Sequence, residues 1–224
     1  MKLILLLAFA YLLSCNQQNN MSKNTASVTT DLFKIVKSND VVALKNLLSQ
    51  KPNLNIKDSK ERTPLMLACY LNHIDIGLAL IDAGADVNQQ DDILNSPFLY
   101  AGAEGQLPVV KACLMHNARF DIYNRYGGTA LIPAAEKGHI EVVKLLANTP
   151  EFPIDHVNRL GWTALLEAVI LGTGGKVHTE IVSELIKAGS NVNIADKDGV
   201  SSLQHARKRG FTQIESLLVK AGAK

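Results

Sequence analysis

The segment Asn158-Arg-Leu-Gly-Trp-Thr-Ala-Leu165 carries the signals of a turn that leads directly into a helix. Thr163 is placed to accept a hydrogen bond from one of the first backbone N–H groups of that helix, which have no partner inside the helix itself. Leu165 and Ala168 follow three residues apart, which places them on one helical face. The segment therefore predicts a helix that begins near Thr163.

The same helix has a predicted end and a predicted successor. Gly172 permits the left-handed backbone conformation that commonly ends a helix. A second apolar helix is predicted from Ile181 to Ala188, and Gly189 ends it. Residues 155–193 thus form one unit with the order turn, helix, turn, helix.

This unit recurs at a nearly fixed spacing along the chain. The predicted cap residues are 33, 33, 34 and 38 residues apart: Thr63, Ser96, Thr129, Thr163 and Ser201. A large apolar residue follows each cap by two positions, an alanine by five, and Asn or Gly by nine. One further step of 33 toward the N-terminus reaches Thr30, so six units are predicted. Because two short helices cannot bury both of their faces, the units must stack in a line.

The repeated pattern resembles a known family. The segment Thr63-Pro-Leu-Met-Leu-Ala68, followed by Ala83-Gly-Ala-Asp-Val-Asn88, resembles the ankyrin repeat. The resemblance covers residue 30 to the C-terminus and implies an all-α solenoid of helix-turn-helix units joined by β-hairpin-like turns. The histidine usual three positions after the cap is absent from every copy. Glu61 and Leu94 replace the usual turn glycine, so the early hairpins are expected to be less regular.

The first 14 residues are predicted to be an export signal. The apolar run from Leu3 to Leu13 follows Lys2 and is too short to span a bilayer as a helix. Leu12-Leu13-Ser14-Cys15 resembles a bacterial lipobox, which implies cleavage before Cys15, lipidation of that cysteine and attachment to a membrane. The alternatives are an ordinary cleaved signal, an uncleaved anchor, or a start at Met21 that would leave a cytosolic protein.

Residues 15–29 are predicted to be a flexible tether between this signal and the repeat domain of residues 30–224. The stretch is rich in Asn, Gln, Ser and Thr and has almost no large apolar residues, so it cannot form a core. In the fifth unit, five residues are inserted around residues 173–179, and we expect them to lengthen the turn between the two helices. Val177 stands where a phosphate-binding loop would have Ser or Thr, which argues against a nucleotide site at this insertion.

We predict no catalytic, cofactor or metal site. His73 and His139 occupy equivalent positions two units apart, so they are about 20 Å apart and more suited to closing the turns between helices. Cys113 and His116 lack a second pair of zinc ligands. Cys69 and Cys113 are expected to be buried, reduced thiols. A formal net charge of +2 argues against a nucleic-acid-binding protein.

The ankyrin resemblance implies a concave groove formed by the hairpin tips and the inner helices. It selects these positions as protein-binding residues: Tyr70, Ile93, Arg125, Tyr126, Arg159, Leu160, Trp162, Ile170, Lys208 and Arg209. Trp, Tyr and Arg often dominate interface energy, so the centre of binding is expected between Arg125 and Trp162. Two alternatives stay open: Trp162 packs against a neighbouring hairpin, and the basic run around Lys208 only solvates the last unit.

The expected function is that of a non-enzymatic, monomeric protein-interaction module, lipid-anchored in a bacterial envelope and facing the periplasm. Residues Asn158–Gly172, with the insertion behind them, resemble exported bacterial ankyrin proteins, some of which are associated with catalase. This resemblance implies a partner in oxidative defence. The competing hypotheses are a secreted or cytosolic effector that binds a host protein, and an enzyme or metal protein whose ligands the sequence does not reveal.

Overall fold

A computed structural model describes residues 31–224 of the chain. The predicted signal, Cys15 and the tether lie outside these residues. The described part contains twelve helices: α1 (residues 31–38), α2 (Val41–Leu48), α3 (Pro64–Tyr70), α4 (Ile74–Asp82), α5 (Pro97–Ala103), α6 (Leu107–Met115), α7 (Leu131–Lys137), α8 (Ile140–Ala147), α9 (Ala164–Ile170), α10 (Lys176–Lys187), α11 (Ser202–Lys208) and α12 (Thr212–Lys220). Between residues 31 and 224, β-structure is limited to one isolated bridge, Ala195–Ser201.

The helices form six consecutive pairs that stack into two layers. In the inner layer, each helix from α3 to α9 contacts the next inner helix, ending with α11. In the outer layer, each helix from α2 to α10 contacts the next outer helix, ending with α12. The repeated large apolar residues are at most 2% exposed: Leu65, Phe98, Leu131, Leu165 and Leu203. The repeated alanines are at most 1% exposed: Ala68, Ala101, Ala134, Ala168 and Ala206. The predicted all-α solenoid is confirmed.

The two described cysteines behave as small core residues. Cys69 and Cys113 are free thiols, and both are buried. Burial raises the pKa of Cys69 to about 12 and raises the pKa of Cys113 as well. Both side chains therefore stay protonated and serve packing, as the sequence predicts.

Four of the five predicted helix caps form, and the fifth does not. The side chains of Thr63, Ser96, Thr163 and Ser201 each accept the backbone N–H three residues later. Helix α7 instead begins at Leu131, and the buried Thr129 hydroxyl has no hydrogen-bond partner among the described residues. Pro133 has no N–H to donate to the Thr129 carbonyl, which accounts for the later start of the helix. In the third unit the equivalent bond, from Tyr100 N to Ser96 O, is 2.9 Å long. The structure gives no reason why the Ile132 N–H leaves the Thr129 hydroxyl unpaired.

The insertion in the fifth unit lengthens the turn between the two helices, as expected, and also extends the outer helix. Residues 171–175 separate α9 from α10, whereas residues 71–73 separate α3 from α4. Helix α10 begins at Lys176 rather than at Ile181 and has 12 residues, whereas the other outer helices have 8 or 9. The first turn of α10 carries His178, which is 8% exposed. Its Nε2 atom lies 2.8 Å from Glu136 O near the end of α7, the inner helix of the preceding unit. His178 precedes Ile181 by three positions, as His73 precedes Ile76, so the contact that His73 makes with the preceding unit is kept despite the insertion.

The predicted role of Gly172 is wrong, although a glycine is required there. Four of the five predicted helix ends have the expected positive φ, at Asn72, Gly105, Gly138 and Gly210. In the fifth unit the positive φ lies at Gly174 instead. A Cβ atom on Gly172 would lie 2.1 Å from Ala168 O and 2.3 Å from His178 Cδ2. Glycine is needed because the Ala168 carbonyl oxygen and the ring of His178 occupy the space that a side chain would fill.

Substitution of two glycines to alanine is expected to have opposite effects. Gly172→Ala pushes His178 out of place and should lower the free energy of unfolding by about 1–3 kcal/mol. Gly77→Ala is the matched control, because its Cβ would meet Leu65 and Val109 at an ordinary 3.8 Å. Gly77 lies inside helix α4, so its replacement should raise stability by about 0.5–1 kcal/mol. Urea denaturation measures both changes, and a Gly172→Ala protein as stable as wild type would contradict this account.

Candidate protein-binding groove

Every hairpin tip from the second unit onward is held by an Asp or Asn side chain. The Oδ1 atom of each of these residues accepts the backbone N–H groups two and four positions later, at 2.9–3.1 Å. The residues are Asp58, Asp91, Asn124, Asn158 and Asp196. Such Asx turns replace missing backbone partners in the tip. No role was predicted for these residues, although their fixed place five positions before each cap is a usable signal.

The Asx turns also make the early hairpins regular, so the expectation of distorted early hairpins is wrong. Glu61 and Leu94 adopt φ values of 57° and 62°, which lie in the left-handed region that glycine usually occupies. The hairpin bond from Asp58 N to Arg62 O is nevertheless 3.0 Å, the same length as the bond from Asn124 N to Gly128 O. The side-chain bonds of the tip hold this strained backbone in place.

Hairpin tips and inner helices surround a groove of about 530 Å³ in the middle of the concave side. Four apolar side chains that line it are 42–50% exposed: Ile93, Tyr126, Leu160 and Leu171. Exposed apolar groups that line a concave surface are typical of a binding site. The groove is therefore the candidate functional site.

At the N-terminal end of the groove, a hydrogen-bonded tyrosine fixes the wall. The Tyr70 hydroxyl donates to Asp91 Oδ2 at 2.5 Å and accepts from Asn95 Nδ2 at 2.9 Å. The Tyr70 and Tyr100 rings meet edge-on with their centroids 4.4 Å apart. Burial raises the pKa of Tyr70, so its hydroxyl remains a donor at neutral pH. This wall is preorganised and needs little rearrangement on binding.

Among the described residues of the groove, some charged side chains have a partner of opposite charge, and others do not. Lys137 Nζ lies 2.6 Å from Glu104 Oε1, and the Arg125 guanidinium lies 4.9 Å from the centre of the Tyr126 ring. Glu167 is only 5% exposed, and its Oε1 atom accepts a hydrogen bond from Asn158 Nδ2 at 2.9 Å. Burial first, and then the nearby Glu136, raise the pKa of Glu167 from 4.5 to about 7. No role was predicted for Glu167 because its buried, acidic surroundings arise only in the folded stack.

The structure places half of the predicted binding residues in this groove. Its lining includes Tyr70, Ile93, Arg125, Tyr126 and Leu160. Arg159 lies beside it, because its Nη1 atom donates to Arg125 O at 3.0 Å. Trp162 is half-buried in the next hairpin tip, where its backbone pairs with Asn158.

The other three predicted residues lie at the C-terminal end of the inner layer. Arg209 Nη1 donates to Val169 O at 3.3 Å and to Ile170 O, which ties the last unit to the fifth. The Arg209 guanidinium also lies 4.6 Å from the centre of the Phe211 ring. Lys208 is exposed. Arg209 thus has a structural task in addition to any role in binding.

Metal binding and catalysis each need a particular arrangement of side chains among the described residues. Within residues 31–224, no group of three His, Cys, Asp or Glu side chains could hold a metal ion. His205 Nε2 lies 2.7 Å from Asp196 Oδ2, which resembles part of a catalytic triad. The neighbouring Ser201 hydroxyl, however, pairs with Gln204 N and Lys224 O. The Asp196–His205 pair therefore supports the last hairpin.

Comparison with known proteins agrees with this architecture. A sequence model described as ankyrin repeats (3 copies) matches residues 6–91 and 98–193. The ankyrin repeat protein YahD of Escherichia coli K12 is 35% identical over 197 residues, which cover 88% of this chain and 98% of that protein.

Solved structures of similar proteins have the same fold. An ankyrin repeat domain from Acinetobacter baumannii AYE is 51% identical with a TM-score of 0.83, and the match covers 87% of this chain and 98% of that one. The ankyrin repeat protein EF0377 is 39% identical with a TM-score of 0.83, over 86% and 98% of the two chains. Ankyrin repeats indicate a protein–protein interaction module and are generally non-enzymatic. From its repeats, its fold and these matches, the chain belongs to the ankyrin-repeat family.

Proposed function

We propose that this protein binds a protein partner through the groove between Tyr70 and Leu171, and that it acts without enzymatic activity of its own. The observation that carries the proposal is the set of four half-exposed apolar side chains on the groove wall. Burying such side chains against a partner releases about 25 cal/mol for each Å² of apolar surface. The Asx turns and the Tyr70 hydrogen bonds hold the wall rigid, which limits the entropy lost on binding.

The proposed location rests on the N-terminal sequence. We infer export, cleavage before Cys15 and lipidation of that cysteine, with the repeat domain facing the periplasm. No helix in the described part of the chain is both long and apolar enough to cross a membrane. The competing hypothesis is an effector that begins at Met21 or is secreted without a lipid, and that binds a host protein.

A partner in oxidative defence, such as catalase, is part of the same proposal. It rests on the resemblance of residues Asn158–Gly172, with the residues after them, to exported bacterial ankyrin proteins. Half of this segment forms helix α9, whose Glu167 lines the groove. Catalase bound at the groove would therefore contact residues of this segment.

Removal of two groove side chains is expected to weaken partner capture without unfolding the protein. Tyr126→Ala with Leu160→Ala deletes two exposed anchors, and we expect capture by cross-linking from an envelope extract to fall about tenfold or more. The matched control, Met115→Ala with Val219→Ala, deletes two exposed apolar side chains on outer helices, which are 76% and 48% exposed. Thermal melts should overlap for all three proteins. Equal capture by the groove variant and the control would refute the proposal, and an antibody to catalase tests that partner directly.

The variant Trp162→Ala tests whether Trp162 contributes to binding or to the packing of the hairpins. If Trp162 contributes to binding, Trp162→Ala lowers capture while the melting temperature is unchanged. If it packs between hairpins, the same change lowers the melting temperature and leaves capture intact. This second result would remove Trp162 from the proposed interface.

Labelling cells with radioactive palmitate tests the lipid anchor. We expect the wild-type protein to incorporate label and to sediment with membranes, and Cys15→Ser to abolish both. Cys69→Ala is the control, because its thiol is buried and should not affect labelling. Wild-type protein that stays unlabelled would contradict lipidation, and a soluble product beginning at Met21 would support the competing hypothesis.

A further inference from the structure

Two carboxylates of the groove have no cationic partner among the described residues. The ion pairs of the groove include Lys137 with Glu104 but leave out Glu136 and Glu167. Glu167 Oε1 accepts from Asn158, whereas its Oε2 atom accepts no hydrogen bond from residues 31–224. Glu167 is only 5% exposed, but its Oε2 atom is not among the fully buried atoms without a partner, so it opens into the groove. Because the carboxyl is poorly solvated there, a donor from a ligand would stabilise its ionised form.

The surroundings of these carboxylates define what could satisfy them. Glu136 lies on α7 and Glu167 on α9, and they are close enough for the charge of Glu136 to raise the pKa of Glu167. Leu160, Leu171 and Ile132 line the same groove and provide apolar surface. Among the described residues that line the groove, the cations are Lys137, already paired with Glu104, and Arg125, which lies against Tyr126. The site thus combines unmet negative charge with apolar walls.

We propose that the protein partner places an arginine side chain between Glu136 and Glu167, with apolar residues beside that arginine packed on Tyr126, Leu160 and Leu171. This inference rests on the proposed function of the groove and names the chemistry of its occupant. A guanidinium group presents five N–H donors in one plane, so it can serve two carboxylates at once. Charge-assisted hydrogen bonds are strong where water is partly excluded. Binding then keeps Glu167 ionised and satisfies its free Oε2 atom.

Peptide selection provides the test. A phage library of random twelve-residue peptides is selected against the full chain, and the enriched peptides are expected to contain arginine next to apolar residues. Replacing that arginine by citrulline, a neutral group of the same shape, should weaken binding at least about tenfold. Glu136→Gln and Glu167→Gln should each weaken binding to a similar degree. Glu141→Gln is the matched control, because Glu141 lies on outer helix α8, where it pairs with Lys144.

The outcomes separate this inference from the proposed function. Peptides that lose binding with Tyr126→Ala and Leu160→Ala, but bind equally well to Glu136→Gln and Glu167→Gln, would overturn the arginine site and leave the groove as the interface. Enrichment of peptides without basic residues would likewise overturn the arginine site and leave the groove as the interface. Peptides that are insensitive to all groove variants would overturn both proposals.

The pH dependence of the melting temperature tests the environment of Glu167 and reports whether Glu167→Gln is folded. The folded-state pKa of Glu167 is raised from 4.5 to about 7, so the stabilisation from its bound proton is complete below about pH 4.5 and is lost as pH rises through 7. Glu167→Gln cannot ionise and keeps the neutral form. From pH 5 to pH 8, we expect the melting temperature of wild type to fall relative to Glu167→Gln by roughly 5 °C. Parallel curves for the two proteins would show that Glu167 is not held in this buried, acidic environment.

Discussion

The stack depends on satisfying the carbonyl groups at the ends of its inner helices. Helices α3, α5, α7, α9 and α11 have only seven residues each, so most of their last carbonyls lack a partner inside the helix. Backbone N–H groups of the following turn satisfy some of these carbonyls, such as Asn72 N to Cys69 O at 3.1 Å, and a polar side chain from the following unit adds a further donor. His73 reaches Val36 O at 2.9 Å, Gln106 reaches Cys69 O at 2.8 Å, and His178 and Arg209 do the same for later units. Each bond crosses between units, so it fixes their register as well as completing a helix end.

The sequence predicts the fold well where one residue type has one physical task. Buried alanine, a capping hydroxyl and a large apolar residue return at constant spacing, and the structure confirms them in nearly every unit. Predictions fail where one unit departs from the shared pattern. Pro133 has no N–H for the Thr129 carbonyl, and the positive φ of the fifth unit lies at Gly174 while Gly172 is packed against Ala168 O and His178. Neither effect is visible in the spacing of the repeat.

The binding site is predictable only in outline. The repeat places all hairpin tips and inner helices on the same side of the stack. Tyr70, Ile93, Tyr126 and Leu160 can therefore be assigned to the concave side from the sequence, and they all line the groove. The extent of the groove, and the exclusion of Lys208 from its lining, depend on side-chain packing. Glu167 is the clearest case: the equivalent positions in earlier units are Leu67, Tyr100 and Pro133, so its charge breaks the pattern. Its unmet hydrogen-bonding capacity comes from burial beside Asn158 and Glu136, which a linear sequence cannot express.

Because the Asx turns use backbone N–H groups, the conformation of each hairpin tip does not depend on which side chain lies two positions after the Asp or Asn. The residue two positions after each Asp or Asn contributes only its backbone N–H to the turn, and these residues are Lys60, Ile93, Tyr126, Leu160 and Asp198. Their side chains are cationic, aliphatic, aromatic and anionic, yet the hydrogen-bond pattern beneath them is the same. Substitution of the side chains at these five positions should therefore leave the hairpin hydrogen bonds unchanged, so the chemistry of the tips can vary without a change of fold.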